Sequence, residues 1–345
     1  MYRGRTVGVV VPAYNEEAHV RRVLETIPDY VDRIYAVDDR SVDQTWQEIQ
    51  QAAVAANRVP EPLLDREPAV IGVGNPSPPK VASMTDGGME AGRRIIPIRH
   101  GENQGAGAAL RTGYLHALGD GIDIIVSMDA DGQMDPRQLP GLLDPIVDGV
   151  ADYTKGNRLA SPTNSAGMPS FRLFGNWLLG QLTKVSSGYW RIEDPQNGYT
   201  AFSHEALGRI GTEDIPDDHN YTNDVLVRLN ANELRVADVA MPAIYDDEES
   251  TIRYRTFVPR TTYTLVRGLV YRLGKRYGTP FAPVPVAYAI GAIAVVFGVL
   301  GGLGSVVSTG LSPSLAAGAV LLGVVSFVVG AILDARTNAA LEVPV

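Results

Sequence analysis

Residues 122–133, IDIIVSMDADGQ, decide the fold. An apolar run from Ile122 to Met128 ends in two carboxylates one residue apart, Asp129 and Asp131. In a strand, side chains at i and i+2 point to the same side. Two carboxylates so placed at a strand end can grip one hard divalent cation, Mg²⁺ or Mn²⁺, through oxygen. Surface turns carry Asp-x-Asp as well, so the surrounding chain has to choose between the two readings.

Working outward, apolar strand patterns alternate with helical ones. Residues 6–11 form a β-branched run followed by a helix to about residue 27. Residues 33–37 and 95–99 read as further strands, with helical patterns at 46–56 and 104–118. This alternation predicts an α/β domain with a mostly parallel sheet and ligands outside the carboxyl ends of the strands. Residues 57–94, rich in Pro and Gly, break the rhythm and read as a flexible insertion. Beyond the opening stretch, 152–157 reads as a strand, 168–185 as a helix, 221–229 as a helix and 234–241 as a strand.

Composition narrows the class. The chain has 345 residues and no cysteine, which removes disulfides and thiolate metal sites. A net charge of −9 argues against nucleic acid as a partner. Lysine occurs only at Lys80, Lys155, Lys184 and Lys275; a high-salt organism or a GC-rich genome would each produce this bias. No signal peptide is visible at the start.

The C-terminal part differs. No charged residue lies between Arg276 and Asp334. Two apolar segments there, 284–307 and 313–333, are each long enough for the ~20 residues that span a bilayer. Arg253, Arg255, Arg260, Arg267, Arg272, Lys275 and Arg276 precede them, which marks that side as cytoplasmic. Residues 257–277 fit an interfacial helix, with Val266, Leu269, Val270, Leu273 and Tyr277 on one face and Arg260, Arg267 and Lys275 opposite. The expected layout is a cytoplasmic catalytic domain at 1–254, a juxtamembrane amphipathic segment at 255–280, a transmembrane hairpin at 281–334 and a cytoplasmic tail at 335–345. The expected location is the cell membrane, with two spans.

Six motifs in order carry a resemblance: PAYNE at 12–16, VDDRSVDQT at 37–45, ENQGAGAAL at 102–110, DADGQ at 129–133, GNR at 156–158 and DPQNGY at 194–199. Together they resemble family-two glycosyltransferases of the GT-A fold, and within them the dolichol- or polyprenyl-phosphate sugar synthases. The resemblance implies a nucleotide-sugar donor, GDP- or UDP-linked, and a lipid phosphate acceptor. Pro12, Tyr14, Glu16, Val37 and Asp39 would surround the nucleotide, with Asp39 accepting from base N–H groups. Asp129 would face the ribose and the metal, and Asp131 and Gln133 would complete the metal site. Arginine forks suit phosphate. Arg158 and Arg172 are therefore candidates for the acceptor phosphate, Arg253 and Arg255 for the donor diphosphate, and Asp194 for orienting acceptor or sugar. One departure is Arg40, where the family usually has glycine in a VDDGS pattern.

Local readings compete at several positions. Tyr14-Asn15-Glu16 also fits a helix N-terminus. Gly105 and Gly107 would admit either a ligand or a closely packed sheet. A processive polysaccharide synthase would carry a Gln-x-x-Arg-Trp motif, which is absent. A dinucleotide oxidoreductase would need a third glycine after Gly105 and Gly107. A non-catalytic sugar-nucleotide-binding membrane protein, and a homo-oligomer, stay open.

Overall fold

β-Branched residues in short runs build the sheet, and their alternation fills both of its faces. In β1 (Val7–Ala13), Val9 and Val11 pack into one core cluster while Val10 packs into the other. The computed structural model describes residues 1–57, 94–160, 170–242, 254–306 and 311–345. α1 (Val20–Thr26), β2 (Arg33–Asp38), α2 (Thr45–Asn57), β3 (Ile95–Arg99), α3 (Ala106–Gly119) and β4 (Ile124–Ser127) follow as alternating units. β1 pairs in parallel with β2 and β4, and β2 with β3.

The second half is less regular. α4 (Leu139–Val147), β5 (Tyr153–Asn157), α5 (Ser170–Ser187), β6 (Thr200–Ser203), α6 (His204–Arg209), α7 (Tyr221–Ala231) and β7 (Val236–Ala240) complete the α/β part. β6, which the sequence reading did not include, lies antiparallel between β4 and β5. Its four residues, TAFS, are too short to show a period. The sheet order is β3-β2-β1-β4-β6-β5-β7-β8, with β8 at Glu342–Val343.

Residues 58–93 of the Pro/Gly-rich insertion lie outside the described residues. Its base is pinned: the Asn57 amide accepts from the backbone N–H groups of Arg94 and Ile95, each at 2.8 Å, and donates to the Ile95 carbonyl at 2.7 Å. That base sits at the amino end of β3, opposite the strand ends that carry the polar motifs.

α8 (Tyr254–Tyr277), α9 (Pro283–Val306) and α10 (Pro313–Asn338) follow. α9 and α10 are long and apolar enough to cross a membrane, and only 22% and 17% of their apolar windows are buried. They pack on each other through glycine: a Cβ on Gly298 would lie 2.8 Å from the Ala316 carbonyl, and one on Gly323 2.7 Å from the Val295 amide nitrogen. α8 buries Thr261, Leu265, Gly268 and Arg272 and leaves Val266 and Val270 exposed. It therefore packs on the α/β domain along one stripe and presents part of the expected apolar face outward. The segment after α10 is not a free tail. Glu342–Val343 form β8, which pairs in parallel with β7 and extends the central sheet.

Candidate active site

The loops after β1 and β2 clasp each other. Asn15, in the left-handed region at φ 59°, accepts from the Val42 amide at 3.0 Å. The Asn15 amide donates to Ser41 Oγ at 2.9 Å, and the Glu16 amide to Thr45 Oγ1 at 2.7 Å. Helix α1 starts only at Val20, after His19, so Asn15 and Glu16 do not cap it. Tyr14 stays exposed on the rim, and Pro12 and Glu16 are partly exposed. Arg40 adopts φ 63°, the left-handed backbone that glycine would take there without strain.

Two readings in this region change. Val37 is fully buried in the core, so its side chain cannot line a nucleotide site and only its backbone could. The Asp39 carboxylate is 3% exposed and already well occupied. It accepts from the Gln104 and Gly105 amides at 2.9 and 2.7 Å and contacts His100 Nδ1 at 2.7 Å. Burial alone would raise its pKa, but His100 and the two amides outweigh that and hold it below the usual range. Asp39 thus anchors the turn leading into α3, and a base N–H could reach it only at its remaining lone pair.

Gly105 and Gly107 make room for neither a ligand nor the sheet. A Cβ on Gly105 would lie 2.4 Å from the Asp217 carbonyl, and one on Gly107 2.0 Å from the Pro216 carbonyl. The Asp217 carbonyl accepts from the Gly107 amide at 2.9 Å and so satisfies an open N–H at the start of α3. Contact with the sheet falls to Gly113, whose added Cβ would meet Val10.

β4 ends at Ser127, two residues before Asp129, so strand alternation does not bring the carboxylates together. The turn does. Gly132 takes φ 80°, the Asp131 carboxylate accepts from the Gln133 amide at 2.8 Å, and the Asp129 amide approaches the Met134 sulfur at 3.2 Å. A cavity of about 90 Å³ is lined by Asp129, Asp131 and Gln133 from this turn, with Arg158, Gln196 and Tyr199 among the opposite residues. Burial first, then the Asp131 charge, pushes Asp129 up to about 7, with Glu16 adding to the crowding.

Arg158, just past β5, is fixed by Asp194. Its Nε lies 2.7 Å from Oδ2 and its Nη2 3.1 Å from Oδ1, and its backbone N–H also donates to Oδ2 at 3.2 Å. Asp194 is 1% exposed and holds Arg158 from behind rather than facing the cavity. The side chains of Arg172 and Arg255, and all of Arg253, lie outside the described residues.

Sequence reading missed a polar layer beneath the cavity. Lys155 is fully buried in β5, and its ammonium donates to the Asn197 carbonyl. Burial pushes it down to about 8, against the pull of Asp194 and Asp238. Asn197 returns a bond to the Gly156 carbonyl at 2.9 Å, so the 194–197 turn is stitched to β5. Asp238 of β7 accepts from Asn157 Nδ2 at 2.7 Å, and burial raises it to about 7. A lysine in the middle of a strand pattern was the available signal, because such a residue is rarely buried without partners.

The donor set can be tested against a metal. Among the described residues no cluster of three His, Cys, Asp or Glu forms a ready-made cage. Two carboxylates and an amide, all hard oxygen ligands, suit Mg²⁺ or Mn²⁺ that keeps positions for substrate phosphate. The mutual crowding of Asp129, Asp131 and Glu16 is what a cation would relieve.

The family profile described as Glycosyl transferase family 2 matches residues 8–60 and 63–211. The chain belongs to this family. As a family 2 glycosyltransferase, it transfers a sugar from a nucleoside-diphosphate donor on a GT-A-type fold. It is 27% identical over 244 residues to the UDP-N-acetylglucosamine–dolichyl-phosphate N-acetylglucosaminyltransferase of Methanococcus voltae, covering 70% of this chain and 87% of that one. It is also 27% identical over 251 residues to the polyprenol monophosphomannose synthase of Mycolicibacterium smegmatis, covering 70% and 77%. Its fold is similar to glucosyl-3-phosphoglycerate synthase from Mycobacterium tuberculosis in complex with Mn²⁺, UDP-glucose and phosphoglyceric acid. That match has a TM-score of 0.51 at 19% identity and covers 79% of this chain and 80% of the other.

Proposed function

We propose that this glycosyltransferase moves one sugar from a GDP- or UDP-linked donor to a polyprenyl (dolichyl) phosphate, with inversion, at the cytoplasmic face of the membrane. One observation carries the reading: the cavity that joins Asp129 and Asp131 to Arg158 belongs to a chain bearing an exposed apolar hairpin. The dolichyl phosphate in the name of one relative and the polyprenol monophosphomannose in the name of the other support it.

In this reading Asp129, Asp131 and Gln133 would hold Mg²⁺ or Mn²⁺, which would supply charge neutralisation to the leaving diphosphate. Tyr14, Pro12 and Glu16 border the nucleotide, and Asp39 stiffens the turn beside it. Arg158, aimed by Asp194, binds the acceptor phosphate together with Arg172, while Arg253 and Arg255 close over the donor. The acceptor oxygen is anionic near neutral pH, so no strong general base is needed. It attacks the anomeric carbon on the face opposite the diphosphate; the new C–O bond forms as the old one breaks, and nucleoside diphosphate leaves. Catalysis is positioning and charge neutralisation. α9 and α10 cross the bilayer and keep the domain beside its lipid substrate.

The test is a panel of labelled UDP- and GDP-sugars with polyprenyl phosphate in liposomes. The expected product is a lipid monophosphate sugar of inverted configuration plus nucleoside diphosphate. Retained configuration, or release of nucleoside monophosphate, would overturn the reading.

A further inference from the structure

Among the described residues outside the cavity, Arg272 of α8 and Asp334 of α10 are heavily bonded charged side chains, each with five side-chain hydrogen bonds. Arg272 and Asp334 of α10 are both 0% exposed and face each other in a two-pronged pair at 2.9 and 2.8 Å. Asp334 is the first charged residue after the apolar stretch that begins beyond Arg276. The other guanidinium contacts go to the Ser186 carbonyl at 2.8 Å, the Val185 carbonyl at 3.1 Å and Asn230 Oδ1 at 3.5 Å. Asp334 also accepts from Tyr277 Oη at 2.7 Å, Asn338 Nδ2 at 2.9 Å and Tyr288 Oη at 3.5 Å. Five helices, α5 and α7 to α10, meet at this one pair. Gly188 confirms how tightly it is enclosed: at φ 75°, a Cβ there would lie 2.5 Å from Arg272 Nη1.

The junction reaches the cavity through α5 and α7. Thr183 of α5 donates to Asn223 of α7 at 2.9 Å, and the same Asn223 oxygen accepts from Gln196 Nε2 at 2.9 Å. Gln196 lines the cavity. On the far side of the junction, β8 joins β7, whose chain continues to the cavity residues Met241 and Pro242. The base of the apolar hairpin is therefore tied to the cavity wall by two routes.

We propose that Arg272 and Asp334 are positioning residues that fix the height and tilt of the catalytic cavity relative to the apolar hairpin, and that use of a bilayer-embedded long-chain phosphate depends on this lock. The second half rests on the acceptor reading above. A lipid phosphate presents its headgroup at one depth, so a cavity on a loose tether meets it rarely, whereas a soluble phosphate reaches the cavity at any tilt. Buried ion pairs can be replaced by well-packed apolar residues without loss of fold. The double variant Arg272→Met with Asp334→Leu therefore removes the lock and keeps the packing.

The experiment has two arms. The chain has no cysteine, so Val42→Cys and Phe281→Cys, both at positions 85% exposed, take a unique pair of spin labels. The lock predicts a narrow distance distribution in liposomes that broadens in the double variant and, less, in Tyr277→Phe. Equal widths in all three would overturn it. In the second arm the double variant should keep its donor affinity and its transfer to a short-chain, water-soluble isoprenyl phosphate within about threefold. Its kcat/KM for long-chain polyprenyl phosphate in liposomes should fall at least tenfold. Unchanged long-chain transfer, or an equal fall with both acceptors, would overturn the positioning role. If the wild type uses neither phosphate while the label distances behave as stated, the acceptor reading fails and the lock stands.

Discussion

Arg158 and Asp194 meet in a two-pronged pair, Nε to Oδ2 at 2.7 Å and Nη2 to Oδ1 at 3.1 Å, with the carboxylate 1% exposed and the guanidinium on the cavity wall. A buried acid behind a cavity-lining arginine fixes the cation's direction before any ligand arrives. Arg158→Ala should cost roughly 1.5–3 kcal/mol of acceptor phosphate interaction, about ten- to a hundredfold in kcat/KM for the lipid. Donor affinity, measured by titration of the nucleotide sugar, should change much less. Asp194→Asn should give a smaller loss in the same parameter, since it loosens Arg158 without removing it.

A cation at Asp129 and Asp131 should be required for turnover. The two carboxylates line one cavity and crowd each other. Excess EDTA should abolish transfer, added Mn²⁺ or Mg²⁺ should restore it, and Asp131→Ala should stay inactive at any metal concentration. Full activity of the variant in EDTA would count against the assignment.

The strand ends and the acidic turn were legible because each polar run follows an apolar one, and Arg158 was legible only through the GNR motif of the resemblance. Other features were hidden for physical reasons. Gly105 and Gly107 report a close approach by Pro216 and Asp217, far away in sequence, which no local pattern encodes. The buried stripe of α8, Thr261, Leu265, Gly268 and Arg272, has helical spacing but only one large apolar member, so hydropathy conceals it. β8 is two residues long and owes its existence to the edge of β7. Lys155 stands inside a strand pattern, but its partner, the Asn197 carbonyl, is remote in sequence.

That buried lysine sets a pH dependence. Its folded pKa is depressed from 10.5 to about 8, chiefly by burial. Below about pH 8 both folded and unfolded chains carry the charge, and the folded state bears the cost of burying it. Between about 8 and 10.5 the unfolded chain binds more protons, so this group's contribution to stability rises with pH, by at most about 1.4 kcal/mol per unit. The melting temperature of wild type minus that of Lys155→Met, followed in detergent from pH 7.5 to about 9.5, should therefore increase. A flat difference would mean that burial does not depress Lys155 and that it stays an ammonium across this range.

The pairing of β8 with β7 sets the topology. Val236 faces Glu342 and Ala237 faces Val343, and Glu342 accepts from the Arg191 amide, so the segment after α10 is part of the catalytic sheet. A chain that leaves this domain through α9 and returns to it through α10 must cross a bilayer an even number of times. Charge agrees: Lys275 and Arg276 precede α9, Arg336 lies near the end of α10, and residues 304–312 between the helices carry none. Single cysteines at Val42 and at Val345, 85% and 62% exposed, should be modified by a membrane-impermeant maleimide from the same side of sealed vesicles. With the basic side cytoplasmic, both should react in inverted vesicles and neither in right-side-out ones. Labelling from opposite sides would separate β8 from β7 and rule out the hairpin.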